Sequence, residues 1–107
     1  MAIRKKWSEF TPEKVLESAP DKAGVYELGN RLGNVIYIGR SAKVQARLYE
    51  DYLRKNTRKA RLIRKKVRYF RAEAMGGEMR AKQRERALLN NFVKEKRRLP
   101  ELNQRIG

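Results

Sequence analysis

The stretch GVYELGNRLGNVIYIGR, residues 24–40, contains two tripeptides, Gly24-Val25-Tyr26 and Tyr37-Ile38-Gly39. Each tripeptide lies in a run of apolar, β-branched and aromatic residues, which is typical of a β-strand. The glycine and asparagine residues between them favour a tight connection. The stretch therefore predicts an antiparallel hairpin, with strands at about 24–28 and 34–39, whose two tyrosines project from neighbouring strands.

The composition indicates a single domain, residues 1–107, that binds a polyanion. A chain of 107 residues is long enough for one modest core. Its 28 Lys and Arg against 12 Asp and Glu give a formal net charge of +16, which attracts nucleic acid or, alternatively, an anionic membrane surface. The sequence contains no long apolar run, signal peptide or lipidation motif. We therefore expect no membrane partner and a cytoplasmic location, with nucleoid association in a prokaryote.

The chain has no cysteine and no histidine. Their absence excludes thiolate nucleophiles, cysteine-based zinc sites and histidine acid–base catalysis. A metal ion would have to be held by carboxylates, which favours a hard ion such as Mg²⁺ or Mn²⁺.

The rest of the chain predicts four helices and a third strand. Thr11 caps a short helix that ends before Pro20, and Ser41 caps a second helix. A long helix ends near Pro100 and is followed by a tail. The predicted elements after the hairpin are helices at about 42–55, 58–66 and 78–97, and a strand at about 67–74. The simplest packing is an α+β fold with a three-stranded antiparallel sheet flanked by helices.

Glu85 is an acidic residue in an otherwise apolar stripe of the predicted long helix. It lies in the middle of that stripe, where a carboxylate loses solvation and needs a cation or hydrogen bonds. The residues alone leave two alternatives open, a salt bridge to one of the many arginines or a bound metal ion. The apolar residues that share this helix face are Ala81, Leu88, Leu89 and Phe92.

Together these features resemble the GIY-YIG nuclease family. The resemblance spans roughly residues 23–103 and is closest in style to the N-terminal nuclease domain of the bacterial excision-repair incision enzyme. It implies a small α/β fold around a three-stranded antiparallel sheet, with endonuclease activity. The motifs that carry it are the two tripeptides, Glu78-x-x-Ala81-x-x-x-Glu85-x-x-Leu88-Leu89 and Pro100-Glu101-Leu102-Asn103.

The resemblance implies roles for five residues. Glu85 resembles the family's ligand of a divalent metal ion, Mg²⁺ or Mn²⁺. Tyr26 is similar to the tyrosine thought to activate the attacking water, and Tyr37 to the one that orients the site. Arg47 is similar to the arginine that contacts the scissile phosphate and stabilises its charge. Asn103 is similar to the asparagine that holds the site geometry by hydrogen bonds.

Some positions differ from the family pattern. Residues 82–84 replace residues that are usually apolar, and Leu102 replaces a tyrosine. Arg40 stands where many members have lysine, and we assign it to substrate binding because arginine does not readily accept a proton. Tyr52 is favoured over Tyr49 for a further aromatic or histidine position, with core packing as the alternative.

Residues 54–71 contain ten Lys or Arg and no acid. Uncompensated cations repel one another unless a polyanion neutralises them, so the stretch predicts a phosphate-backbone track with little sequence preference. The alternative is a solvated helix face. The predicted nucleic-acid-binding residues are Arg40, Arg54, Lys55, Arg58, Lys59, Arg61, Arg64, Lys65 and Lys66.

These observations predict a metal-dependent endonuclease that hydrolyses phosphodiester bonds in DNA, while RNA stays open as a substrate. No segment resembles an added recognition domain, so we expect weak sequence specificity, selection by DNA structure, or targeting by a protein partner. One alternative is a non-catalytic nucleic-acid-binding protein on a decayed nuclease fold. Another is a ribosome-associated RNA binder, which leaves Glu85 unexplained.

Overall fold

The computed structural model describes residues 2–106, which form one antiparallel sheet with helices on both faces. Four strands and five helices follow one another along the described chain. In chain order they are β1 (Ser8–Glu9), α1 (Pro12–Ser18), β2 (Gly24–Gly29), β3 (Val35–Ser41), α2 (Val44–Ala46, continued as a π-helix over Arg47–Arg54), α3 (Arg58–Lys66), β4 (Tyr69–Ala74), α4 (Glu78–Lys96) and α5 (Glu101–Ile106).

The predicted hairpin is confirmed. Strands β2 and β3 pair antiparallel, with Tyr26 opposite Gly39 and Leu28 opposite Tyr37. Residues two apart in a strand share a face, so both tyrosines project from the same side of the sheet. Asn30 organises the connection, because its Oδ1 accepts hydrogen bonds from two backbone amides of the turn, at 3.0 Å each.

The prediction of three strands is wrong, because the sheet has four in the order β1-β4-β2-β3. The added strand β1 is only two residues long and pairs with β4, with Ser8 opposite Phe70. A two-residue strand carries no alternating pattern that a sequence could display. Trp7, just before it, packs its ring against Gly29, where a Cβ would lie 2.9 Å from the indole.

The sheet separates two apolar clusters. On one face, Tyr26 and Leu28 pack with residues of α1, α2, α3 and α5. On the other face, α4 packs on β2 and β3 through Ala81 and Leu88, which meet Val25 and Ile38. The tyrosine cluster described below lies on the first face, and Glu85 of α4 lies on the second.

The second helix begins later than predicted. Ser41 is the last residue of β3, and its hydroxyl accepts a hydrogen bond from the amide of Lys43 at 3.0 Å instead of capping the helix. The regular helix starts at Val44 and becomes a π-helix from Arg47. The buried face of this helix is formed by Val44, Leu48 and Tyr52.

The predicted C-terminal tail is a helix over most of its length. Arg97 takes a left-handed conformation (φ 63°) that ends α4, and the chain turns through Pro100 into α5. Leu102 is fully buried, and Glu101 pairs with Lys66 of α3 at 2.6 Å. In residues 2–106, no helix is long and apolar enough to cross a membrane.

Candidate active site

Three tyrosine side chains form a buried cluster between the sheet and α2. Tyr26 and Tyr37 come from the hairpin and Tyr52 from the π-helical part of α2. The ring centroid of Tyr26 lies 6.2 Å from that of Tyr37 and 6.0 Å from that of Tyr52. The phenol oxygens of Tyr26 and Tyr52 form a hydrogen bond of 2.5 Å. The structure therefore brings together the two predicted tyrosines, and Tyr52 rather than Tyr49 joins them.

The glycine of the second tripeptide makes room for the ring of Tyr26. A Cβ at Gly39 would lie 2.6 Å from the Cζ and Oη atoms of Tyr26. Real Cβ atoms do not approach other atoms so closely, so any other residue here would displace the phenol. Gly39 is thus needed for a close approach across the hairpin and not for an unusual backbone angle.

Arg47 connects the π-helix to the tyrosine cluster. Its guanidinium lies within hydrogen-bonding reach of the phenols of Tyr52 and Tyr26, and its Nε pairs with Oδ2 of Asp51 at 3.0 Å. Hydrogen bonds in a π-helix run between residues five apart, so Arg47 and Tyr52 occupy neighbouring turns on one face. The Arg47 side chain is 37% exposed and can therefore reach a bound anion as well as the phenols.

Burial keeps the phenols of Tyr26 and Tyr52 protonated. Burial raises the pKa of Tyr26 well above its ordinary value, and the neighbouring Tyr52 and Tyr37 raise it further, whereas Arg47 lowers it. Burial also raises the pKa of Tyr52. Arg47 therefore opposes the main effect without cancelling it, and the cluster needs further positive charge before Tyr26 can act as a base.

Lys59 of α3 supplies a second cation to the cluster. Its ammonium lies 5.5 Å from the ring centroid of Tyr37 and 5.7 Å from that of Tyr52. These distances are typical of cation–π contacts. None of the described carboxylates forms a salt bridge with Lys59, unlike Arg47, which Asp51 partly neutralises.

Glu85 lies on α4 and forms an ion pair with Arg40, near the end of β3. Arg40 Nε donates to Glu85 Oε1 at 3.1 Å, and the two side chains are 41% and 24% exposed. The salt bridge that the sequence left open is therefore present. Arg40 directly follows Gly39, so this pair adjoins the strand end over which the Tyr26 ring lies.

A site with a single carboxylate is suited to a hard metal ion that keeps most of its water ligands, and not to an ion held entirely by protein ligands. Mg²⁺ commonly keeps several waters and binds through one or two carboxylates. Within residues 2–106, no group of three or more Asp, Glu, His or Cys could hold a metal together. Glu85 could therefore hold Mg²⁺ or Mn²⁺ only with water completing the coordination, and the ion would share the carboxylate with Arg40.

Asn103 fastens α5 to the central hairpin. Its Oδ1 accepts from the amide of Ile38 and its Nδ2 donates to the carbonyl of Ile38, both at 2.9 Å. Ile38 is the middle residue of the second tripeptide, between Tyr37 and Gly39. The Asn103 side chain thus fixes the backbone that carries Tyr37 and Gly39.

Comparison with known proteins places the chain in a family. A family model described as Domain of unknown function (DUF7508) matches residues 1–95. The chain belongs to this family.

The DUF7508 chain is also similar to solved nuclease domains. The crystal structure of the GIY-YIG N-terminal endonuclease domain of UvrC from Thermotoga maritima, bound to its catalytic divalent cation magnesium, matches with a TM-score of 0.63 and 29% identity, over 83% of this chain and 90% of that chain. Point mutants of that domain, one Asn-to-Ala and several Tyr-to-Phe, match with the same TM-score. The resemblance to the GIY-YIG family is confirmed.

A curated relative gives the same result. UvrABC system protein C of Alcanivorax borkumensis is 32% identical over 87 residues, which cover 79% of this chain and 14% of the relative. The chain therefore spans a small part of that relative's length. Together with the structural match, this supports an endonuclease at the family level.

The basic residues of this DUF7508 protein are less uniform than their sequence implies. Three of the ten cations predicted to be uncompensated form ion pairs. Arg71 binds the buried carboxylate of Glu27 at 2.7 Å and also lies 4.0 Å from the Trp7 ring centroid. Arg64 donates to the carbonyls of Tyr52 and Lys55. Besides the Arg71–Glu27 ion pair, Lys55 pairs with Asp51 and Lys66 pairs with Glu101.

Two further residues were missed in the sequence. Asp51 lies four residues after Arg47 and four before Lys55, a helical spacing that could have identified it as their partner. Arg105 lies beside α3, where it lines an open groove with basic residues of that helix. Its position could not be predicted, because the segment that carries it was expected to be a tail.

Proposed function

We propose that this chain is a metal-dependent endonuclease that hydrolyses phosphodiester bonds in DNA, with selection by DNA structure or only weak sequence preference. The observation that carries the proposal is the buried tyrosine cluster with Arg47 at its phenols. The similar UvrC domain, an endonuclease domain bound to its catalytic divalent cation, supports it. Similarity to the UvrC nuclease domain also supports DNA as the substrate class.

Each residue of the cluster has a task in phosphodiester hydrolysis. The partly exposed guanidinium of Arg47 donates to the non-bridging oxygens of the scissile phosphate and stabilises the charge that develops there. Tyr26 Oη helps to remove the proton of the attacking water, which lies in line with the leaving oxygen. Tyr37 and Tyr52 orient Tyr26, and Asn103 holds the strand that carries Tyr37 and Gly39.

Glu85 would hold the Mg²⁺ or Mn²⁺ ion, with Arg40 as its neighbour and water as the remaining ligands. Such an ion, when bound, polarises the scissile phosphate and stabilises the leaving oxygen. Burial raises the pKa of Tyr26 and Arg47 lowers it, and an ion held by Glu85 would add positive charge that favours the phenolate further.

A second candidate function is non-catalytic binding of nucleic acid on the same fold. The observation in its favour is the ion pair of Arg40 with Glu85 at 3.1 Å, which neutralises the only carboxylate assigned to the metal. Under this alternative, the basic surface would still bind DNA while hydrolysis would be absent.

Metal removal separates the two candidates. Labelled linear and branched DNA is incubated with the protein in Mg²⁺, in Mn²⁺ or in EDTA, and products are separated on denaturing gels. We expect cleavage with either ion and none in EDTA, because EDTA removes the ion that Glu85 would hold. Zinc should not replace Mg²⁺ or Mn²⁺, because this chain has no histidine or cysteine to hold it. A gel-shift assay on the same samples reports binding independently.

Two results would contradict the proposal. Full cleavage in EDTA would exclude the metal-dependent mechanism. Tight binding with no cleavage of any DNA structure in Mg²⁺ or Mn²⁺ would favour the non-catalytic alternative.

A further inference from the structure

An open groove beside the tyrosine cluster carries only positive charge. It encloses about 700 Å³, and its lining within residues 2–106 contains five cations, one leucine and no acid. Four of these cations lie on α3 and the fifth comes from α5. The lining residues are Arg58, Lys59, Arg61, Leu62, Lys65 and Arg105.

Lys59 joins this groove to the tyrosine cluster. Lys59 lines the groove, and its ammonium lies 5.5 Å from the Tyr37 centroid and 5.7 Å from the Tyr52 centroid. Arg58, Arg61 and Lys65 are exposed, whereas Lys59 is half-buried. The groove therefore has an outer basic wall and an inner end that meets the candidate active site.

The dimensions of the groove suit one strand. The basic row on α3 runs from Arg58 to Lys65, which at a rise of about 1.5 Å per residue is roughly 10 Å. A stacked strand rises about 3.4 Å per nucleotide, so this row matches about three nucleotides. The two backbones of a duplex are separated by grooves about 6 and 12 Å wide, so a row along one helix contacts only one of them.

We propose that this groove binds a single strand of nucleic acid over about three nucleotides, and that Lys59 at its inner end positions a phosphate of that strand at the tyrosine cluster. Two groove residues from different helices, Arg61 of α3 and Arg105 of α5, contact the strand. The positioning role of Lys59 rests on the proposed nuclease function, whereas strand binding by the groove does not.

Strand binding is tested in EDTA by fluorescence anisotropy with a labelled single-stranded oligonucleotide. The groove variant is Arg61→Gln/Arg105→Gln. Its control is Arg31→Gln/Lys94→Gln, which removes the same charge from exposed positions outside the groove. We expect the groove variant to raise Kd at least tenfold and the control to raise it about twofold or less. Equal effects of the two pairs would overturn the proposal.

Salt and duplex measurements test the claim of a single strand. Losing two contacts to a single strand should reduce the slope of log affinity against log salt by about 1.4, while the control changes it little. On a blunt duplex of the same length, both pairs should weaken binding to a similar extent. A groove-specific loss on the duplex as large as that on the single strand would contradict binding of one strand.

Cleavage by Lys59→Gln tests the positioning role. At saturating single-stranded or flapped DNA in Mg²⁺, we expect its rate to fall at least tenfold, with Kd in EDTA changed less than about threefold. Lys94→Gln serves as the control, and thermal melting of each variant verifies folding. A folded Lys59→Gln protein with the parental rate would overturn the role. If the parental protein itself cleaves nothing, the nuclease proposal fails, while the binding test in EDTA still decides the groove.

Discussion

At the scale of single residues, the hydroxyl of Tyr26 is the group on which the candidate site depends. It bonds to Tyr52, lies against Gly39 and is within reach of Arg47. The aromatic ring contributes packing, whereas the oxygen contributes the polar contacts. A substitution that removes only the oxygen therefore separates chemistry from the core.

We expect Tyr26→Phe to lower the cleavage rate at least a hundredfold while the protein stays folded. Loss of one buried hydrogen bond should cost about 1 kcal/mol of unfolding free energy, because the ring still fills its place. Single-turnover cleavage and urea denaturation on one preparation measure both effects. Tyr49→Phe is the matched control, because Tyr49 lies on α2 with Tyr52 but outside the cluster of Tyr26, Tyr37 and Tyr52. A folded Tyr26→Phe protein with the parental rate would exclude an essential hydroxyl.

Glu85 allows a similarly direct test of the metal ligand. Its partner Arg40 is 41% exposed, so the loss of this ion pair leaves no buried charge and should change stability by about 1 kcal/mol or less. We expect Glu85→Gln to reduce cleavage at least a hundredfold while DNA affinity persists. Cleavage rate, Kd and melting temperature are measured together.

The control for Glu85 is Glu73→Gln. Glu73 also forms a partly exposed ion pair, with Arg84 of α4 at 2.9 Å, but takes no part in the proposed mechanism. A parental cleavage rate in folded Glu85→Gln would contradict its assignment as metal ligand. Equal losses in both variants would indicate that α4 packing, and not metal binding, is disturbed.

At the scale of elements, α2 and α5 place the side chains that the hairpin alone cannot provide. The π-helical part of α2 places two side chains five residues apart, Arg47 and Tyr52, beside the phenol of Tyr26. The short helix α5 brings Asn103 to the edge strand β3 and buries Leu102. Both helices hold the second tripeptide in place. Helix α2 packs against the ring of Tyr37, and α5 bonds to the backbone of Ile38.

We expect Asn103→Ala to loosen β3 at Ile38. Two hydrogen bonds are lost, so unfolding free energy should fall by about 1–3 kcal/mol. The amide of Ile38 should exchange faster with solvent deuterium, because Asn103 Oδ1 is its acceptor. Hydrogen exchange by NMR measures this residue directly.

The control for Asn103 is Gln104→Ala. The Gln104 side chain is exposed and donates to the nearby carbonyl of Leu99. Its removal should leave exchange at Ile38 and cleavage unchanged. Unaltered exchange at Ile38 in the Asn103→Ala protein would contradict the anchoring role.

At the scale of the whole molecule, the excess positive charge governs encounter with DNA. The net charge of +16 is spread over a body whose principal extents are 33 × 29 × 24 Å. The electric field of this charge attracts polyanions from a distance, and added salt weakens that attraction by screening it. The ion pairs of Lys55, Lys66 and Arg71 reduce the number of cations available within residues 54–71.

Duplex binding should therefore depend steeply on salt and little on sequence. If about six phosphates are contacted, affinity should fall on the order of a thousandfold between about 50 and 200 mM salt. Anisotropy titrations in EDTA, with two duplexes of equal length and unrelated sequence, measure both properties. A flat salt response together with strong preference for one duplex would contradict binding through the phosphate backbone.

Several features could be predicted because they depend on neighbours in the sequence. The hairpin, the Thr11 cap of α1 and the bounds of α3 follow from local patterns, and the structure confirms them. The Ser41 cap was wrong, because the strand continues through that residue and its hydroxyl bonds to Lys43 instead. Helix α5 was missed, because six residues after a proline carry too little periodicity and its stability comes from Leu102 in the core.

The sequence by itself determined the charge, the hairpin with its two tyrosines, and a chemistry without histidine or cysteine. Only the tertiary structure decided which cation meets which acid or phenol. Arg40 binds Glu85, Arg71 binds Glu27, and Arg47 reaches Tyr52, although 28 cations and 12 acids allow many other pairs. The physical reason is that such contacts act over a few ångströms, so they depend on how distant segments pack and not on their spacing along the chain.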